Sequence, residues 1–280
     1  MAIVLALISA LVYGVSDYSG GRATRLAPVF LVSLIGQLAA MAGVLVLLPI
    51  LGDPIPGSSD IGWSAAAGLA GVLGVSAFYY ALANGAMTVV APVTAIVSAV
   101  LPVGVGLADG EQPGALALVG VVIAVLAVAL VSGALEEHER PTSRRVLLIA
   151  VAAGIGFGLL FVFFDRTGDD AGAWQLLISQ LVSIPLLATG VWRTGGDRVD
   201  AVPSWWIIAA IAGLLSVGAN MAYLAATREG LLTIVSVVTA MYPASTVLLA
   251  TALDGERIHR TQAYGLALAV TALTLVAAGS

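Results

Sequence analysis

The chain has 280 residues, 60% of them hydrophobic, with 11 basic and 16 acidic side chains, so that 10% carry charge, against about 25% in an ordinary soluble domain. That balance excludes a soluble enzyme, and a net charge of −5 leaves no clustered positive surface for nucleic acid. Cysteine is absent, which removes disulfide frameworks, thiolate nucleophiles and cysteine-based zinc sites.

Apolar runs bounded by charge, glycine or proline predict ten membrane-spanning helices. In chain order they cover Ala2–Gly20, Pro28–Ile50, Gly62–Ala83, Met87–Ala108, Gly114–Ala134, Val146–Phe164, Ala173–Trp192, Ser204–Thr227, Leu231–Ala252 and Gln262–Gly279. Turn-forming steps fall in the gaps: Gly52-Asp53-Pro54, Asn84-Gly85, Asp109-Gly110 and Asp254-Gly255. The first run lacks the positively charged start of a secretory leader, and nine similar runs follow it, so it reads as a membrane helix. The runs are apolar around their whole circumference, which excludes helices lying on a membrane surface. The expected fold class is therefore an all-α integral membrane protein, multi-pass, in the cell membrane.

Sliding the chain against itself by 145 residues lays Asp109-Gly110-Glu111 on Asp254-Gly255-Glu256, Gly85 on Gly230, Thr94 on Thr239 and Gly120 on Gly265. Upstream, a shift of 143 pairs Gln37 with Gln180, and a shift of 144 pairs Gly14 with Gly158 and Arg22 with Arg166. Residues 1–140 and 141–280 thus read as two related halves, joined by the charge-dense stretch Glu136-Glu137-His138-Glu139-Arg140-Pro141. Five crossings per half force the second half to enter the membrane from the opposite side. Inverted repeats of this kind are the usual architecture of secondary transporters, in which two halves open a midplane site to each side in turn.

Several residues carry a family likeness. Tyr13-Gly14 stands where a Trp-Gly step is typical of a first helix; Pro92 or Pro102 and Pro243 lie in helices 4 and 9; Gly110-Glu111 and Gly255-Glu256 close those helices; Gly120 and Gly265 open the fifth and tenth. In this order and repetition the chain resembles the EamA-type branch of the drug/metabolite transporter superfamily over its whole length. The resemblance implies ten helices, a central cavity lined mainly by helices 1, 3, 4, 6, 8 and 9, and movement of a small metabolite or drug. An Arg frequent in helix 2 of that family is replaced by Gln37, so its role does not transfer.

Asp17 is the single charge inside the ten runs, and an ionisable residue held out of solvent in a membrane is by default a proton or cation site; the alternative is an interfacial carboxylate beside Arg22. Tyr13, Ser16, Tyr79, Tyr80, Asn220 and Tyr223 are polar groups within apolar helices, expected either to bind solute or to join neighbouring helices. Gln37 and Gln180, equivalent in the two halves, suit a symmetric structural bond. Pro92, Pro102 and Pro243 remove helix hydrogen bonds and are candidate gating kinks. Asp109, Glu111, Asp254 and Glu256 read as solvated or helix-capping carboxylates, Glu111 and Glu256 each facing the dipole of the helix that follows it. His138 and His259 read as solvated loop residues. No nucleotide-binding or serine-hydrolase motif occurs. The expectation is a transporter rather than an enzyme, with no cofactor and no metal, a small-molecule substrate and the lipid bilayer as partners, and a monomer or homodimer. An intramembrane enzyme or a non-transporting membrane subunit is the alternative.

Of the 11 arginines, nine flank the odd-numbered connections; only Arg166 and Arg228 flank the even ones. Positive charge favours the cytoplasm, which places the odd connections inside and both termini outside; the resemblance implies termini inside. The charge count, which reads this chain directly, is taken for the topology.

Overall fold

The computed structural model describes residues 1–85, 87–131, 142–168, 171–194, 204–254 and 260–279. Among the described residues eleven helices are formed: α1 (Ala2–Ala23), α2 (Val29–Leu51), α3 (Ser58–Asn84), α4 (Met87–Ala108), α5 (Ala115–Val131), α6 (Arg144–Asp165), α7 (Trp174–Thr194), α8 (Trp205–Glu229), α9 (Leu232–Thr239), α10 (Tyr242–Asp254) and α11 (Arg260–Gly279). A helix is the form in which an isolated apolar segment satisfies its own backbone in hydrocarbon. Among the described residues eight helices are long and apolar enough to cross a membrane, and the shorter apolar stretches Ala115–Leu130 and Leu232–Thr246 bring the number to ten. The chain is an all-α, ten-span membrane protein. Leu11, Val46, Leu73, Val122, Leu148 and Val270 stay exposed on the outer surface, where acyl chains replace the core as their apolar partner.

The expected single helix over Leu231–Ala252 is two pieces, α9 and α10. Pro243 has no N–H to give to the carbonyl of Thr239, and its ring crowds that carbonyl. The chain tightens instead: Met241 N–H bonds to the Val238 carbonyl at 3.2 Å and Ala244 N–H to that of Met241 at 3.0 Å. Pro243 then sits in the first turn of α10, where a missing donor costs little. By contrast α4 runs unbroken past Pro92 and Pro102.

The two halves pack by one rule applied twice. Helix α1 lies along α8 as α6 lies along α3; α2 crosses α8 as α7 crosses α3; α2 meets α7, and α5 meets α11, on the axis relating the halves. The register agrees to within one residue. Gly14 abuts the Tyr242 carbonyl and Ser245, and Gly158 abuts the Ser98 carbonyl and Leu101; the glycines correspond by the shift of 144, and their partners lie one residue from correspondence under the shift of 145. Gly36 meets Gly213 backbone to backbone where α2 crosses α8, and Gly68 meets Ser179 where α7 crosses α3. No side chain separates the main chains at the Gly36–Gly213 contact. That closeness supplies dispersion between helices that share an equally apolar solvent.

At the end carrying the even connections, polar groups tie the halves together. Asp53 accepts a hydrogen bond from Ala173 N–H at 2.7 Å and Trp174 Nε1 donates to the Asp53 carbonyl at 3.1 Å. Asp60 accepts from Gly168 N–H at 3.0 Å, and Arg166 pairs with Asp109. Glu111 accepts from the backbone N–H groups of Leu232 at 2.7 Å and Thr233 at 2.9 Å, and from the Thr233 hydroxyl. Its charge therefore meets the positive end of α9 in the other half, not that of α5, the helix that follows it, as the sequence suggested. The stretch Glu136–Pro141, His138, His259, Gly255 and Glu256 lie outside the described residues.

Candidate functional site

Between the two halves lies a cavity of about 140 Å³, room for on the order of ten waters. Its walls come from α1, α2, α3, α4, α6, α7, α8 and α10. Helices α2 and α7 join the set implied by the family resemblance because their close crossings at Gly36 and Ser179 draw them inward.

Helix α1 supplies Tyr13, Ser16 and Asp17, three and four positions apart and hence on one face. The Tyr13 hydroxyl donates to Asn220 Oδ1 at 2.7 Å, and Asn220 Nδ2 donates to the Ser216 carbonyl at 2.8 Å. The Ser16 hydroxyl donates to the Ala212 carbonyl at 2.8 Å. These bonds pin α1 to α8 and fix the rotamers around Asp17. Asp17 lines the cavity and has no hydrogen-bond or ion-pair partner among the described residues. Tyr13, Tyr79 and Tyr242 lie within its electrostatic reach. Helix α1 continues past Asp17 to Ala23, the longer of the two extents the sequence allowed.

Of the other residues singled out, Tyr79 and Asn220 line the cavity, whereas Tyr80 and Tyr223 do not. Neighbouring helix positions point about 100° apart, so Tyr80 faces outward, 40% exposed. Tyr223 is fully buried behind the wall, its ring 4.5 Å from that of Phe161. Pro102 and Pro243 are buried without lining the cavity, and the Pro92 side chain lies outside the described residues.

Gln37 and Gln180 both line the cavity, and neither forms the symmetric structural bond expected of the pair; Gln180 Oε1 is buried without a partner among the described residues. Ser33 and Tyr242 also line the cavity, and their hydroxyl oxygens are buried without a partner among those residues. Ser98, Ser179, Ser183 and Ser216 complete its hydroxyl lining. Serine is too common in apolar helices to betray a cavity in sequence. The signal was available for Gln180: Ser179, Gln180 and Ser183 form a polar cluster at helical spacing within an apolar run. Buried polar groups are almost always paired, so a side-chain oxygen left unpaired on each of three lining residues sets this wall apart from the rest of the described interior.

A family model described as the EamA-like transporter family matches residues 1–133 and 144–278. No curated protein matches the chain. Among solved structures, one described as a crystal structure of a protein is 17% identical, superposes with a TM-score of 0.76, and covers 99% of this chain and 98% of its own. That likeness shows a shared fold.

Proposed function

The chain belongs to the EamA-like transporter family, and from that premise we propose a secondary active transporter that carries a small organic metabolite or drug across the plasma membrane by alternating access, coupled to protons at Asp17. The observation that carries this reading is the cavity between the two inverted halves, with an unpaired carboxylate on its wall.

Alternating access follows from the symmetry of packing. Each half makes the same helix crossings with the other, so an exchange of conformations between halves opens the opposite end while the cavity stays between them. The bonds from Asp53, Asp60, Glu111 and Arg166 hold the even-connection end together. Breaking them is the rearrangement that opens that end. At the centre, Asp17 binds a proton or solute on one side and releases it on the other. Tyr13, Tyr79 and Tyr242, from α1, α3 and α10, are the titratable groups around it, and the described cavity lining contains no basic side chain. The residue boundary at 140/141 divides the two moving units.

The test is solute uptake into proteoliposomes with and without a pH gradient, for the native chain and Asp17→Asn. The native protein accumulates solute when the gradient is applied, and the variant equilibrates it without accumulating. Gradient-driven accumulation at the native level by the Asn variant contradicts the coupling role.

A further inference from the structure

The fold is two-fold symmetric, yet the lining of its cavity is not. Under the register that relates the halves, Asp17 corresponds to Phe161, Tyr13 to Phe157, Asn220 to Val75 and Ser216 to Gly71. All eight line the cavity. The wall built by α1 on α8 is therefore polar and anionic, and the mirror wall built by α6 on α3 is apolar and aromatic. Equivalent positions of the two halves thus carry different side chains and form two poles across one hollow.

Resting on the transport reading above, we infer that this cavity selects an amphipathic organic cation, a primary ammonium group carried on an aromatic or alkyl body. The charge argument comes first. Asp17 is unpaired, and among the described residues the lining holds no Arg, Lys or His. A solute with a free carboxylate or phosphate would meet a carboxylate with nothing to offset the repulsion, and an anion without a basic partner is poorly held at low dielectric. A cation meets Asp17 directly, with the oxygen of the Tyr13 phenol near it and phenyl rings able to receive it electrostatically.

The body of the ligand follows from the other pole. Phe157, Phe161 and Phe164 project from α6 at four- and three-residue spacing and form one aromatic strip. Tyr223 backs Phe161 and its hydroxyl donates to the Phe161 carbonyl at 3.4 Å. A bare ammonium ion leaves this strip covered only by water; an arylalkyl chain covers it and removes apolar surface from water. The polar wall completes the recognition. Three N–H donors of a primary ammonium suit the Asp17 carboxylate and the hydroxyl-bearing residues beside it, and a quaternary ammonium brings no donor.

Thermal unfolding of the purified full chain in lipid nanodiscs, titrated with 2-phenylethylamine, phenylacetate, phenylalanine and tetramethylammonium, tests the class without any mutation. The expected result is stabilisation by 2-phenylethylamine at concentrations at least tenfold below those at which any of the other three acts. Stabilisation by phenylacetate or phenylalanine at equal or lower concentration overturns the inference, as does no response to 2-phenylethylamine. Two variants locate the poles: Asp17→Asn weakens 2-phenylethylamine at least tenfold, and Phe161→Leu weakens it severalfold. A native response that survives Asp17→Asn also overturns it. Counterflow of radiolabelled 2-phenylethylamine, phenylalanine and a neutral sugar in proteoliposomes separates the two readings. Movement of phenylalanine or sugar but not the amine leaves the transporter standing and removes the substrate class; no movement of any solute removes both.

Discussion

Gln180 separates packing from binding more cleanly than any other side chain in the cavity. A helix-joining glutamine contributes about 0.6–2 kcal/mol through its interhelical bond, but the buried Gln180 oxygen has no partner among the described residues. Replacing an unpaired buried polar group by an apolar one of similar shape is close to neutral for stability. Gln180→Leu is therefore expected to leave the melting temperature unchanged or higher and to weaken solute binding severalfold. Thermal unfolding and a binding titration of the same preparation check both halves of that statement. A similar contrast holds on α3, where Tyr79→Phe affects binding and Tyr80→Phe does not. Asp17 was legible because a charge in an apolar run has few explanations; Tyr79 and Tyr80 were not separable by type, only by the rotation of the helix that carries them. The serines lining the cavity gave no signal, because serine equally well returns its hydroxyl to its own helix, as Ser179 and Ser216 do.

Among the elements, α9 shows how a sequence signal can be correct in kind and silent on consequence. Proline in a membrane helix reads as a bend, yet α4 accommodates Pro102 without a break, whereas Pro243 divides its run in two. The difference lies in tertiary partners. The short α9 is held at its start by Glu111, which satisfies two of the free N–H groups there and the Thr233 hydroxyl, and its eight residues are all buried. Those bonds come from a loop 121 residues away in sequence, a distance no local pattern reveals. Glu111→Ala removes a charged cap and leaves buried donors unpaired, and should destabilise the protein by about 1–3 kcal/mol. A urea or thermal unfolding series measures it. Glu111→Gln, which keeps an acceptor but not the charge, should fall between. The close crossings make a matching pair. Gly213→Val and Gly68→Val each force a side chain into backbone from a facing helix, and each should lower stability by about 1–3 kcal/mol or more. The symmetry predicts effects of similar size.

For the whole molecule, fold class and helix number could be read from composition and period, because the energy of charge in hydrocarbon dictates where the 27 charged residues can stand. The repeat was readable from rare residues such as Asp109-Gly110-Glu111. What sequence could not place was the cavity wall, since α2 and α7 enter it through backbone-to-backbone crossings rather than through any distinctive side chain. Orientation is open to a direct check that the absence of cysteine makes clean. Ser143, at the odd-connection end, and Ser59, at the even-connection end, are both exposed. By the charge count, Ser143→Cys reacts with an impermeant thiol reagent only from the cytoplasmic side and Ser59→Cys only from outside; the reverse pattern inverts the topology.

Alternating access at the shared cavity is tested by the same chemistry at Ser216, a cavity-lining residue on α8. In proteoliposomes of single orientation, Ser216→Cys is exposed to an impermeant thiol reagent from the outer or the inner face, with and without solute. The account predicts labelling from both faces, each slowed when solute occupies the cavity. Labelling from one face alone, unchanged by any transported solute, would contradict it.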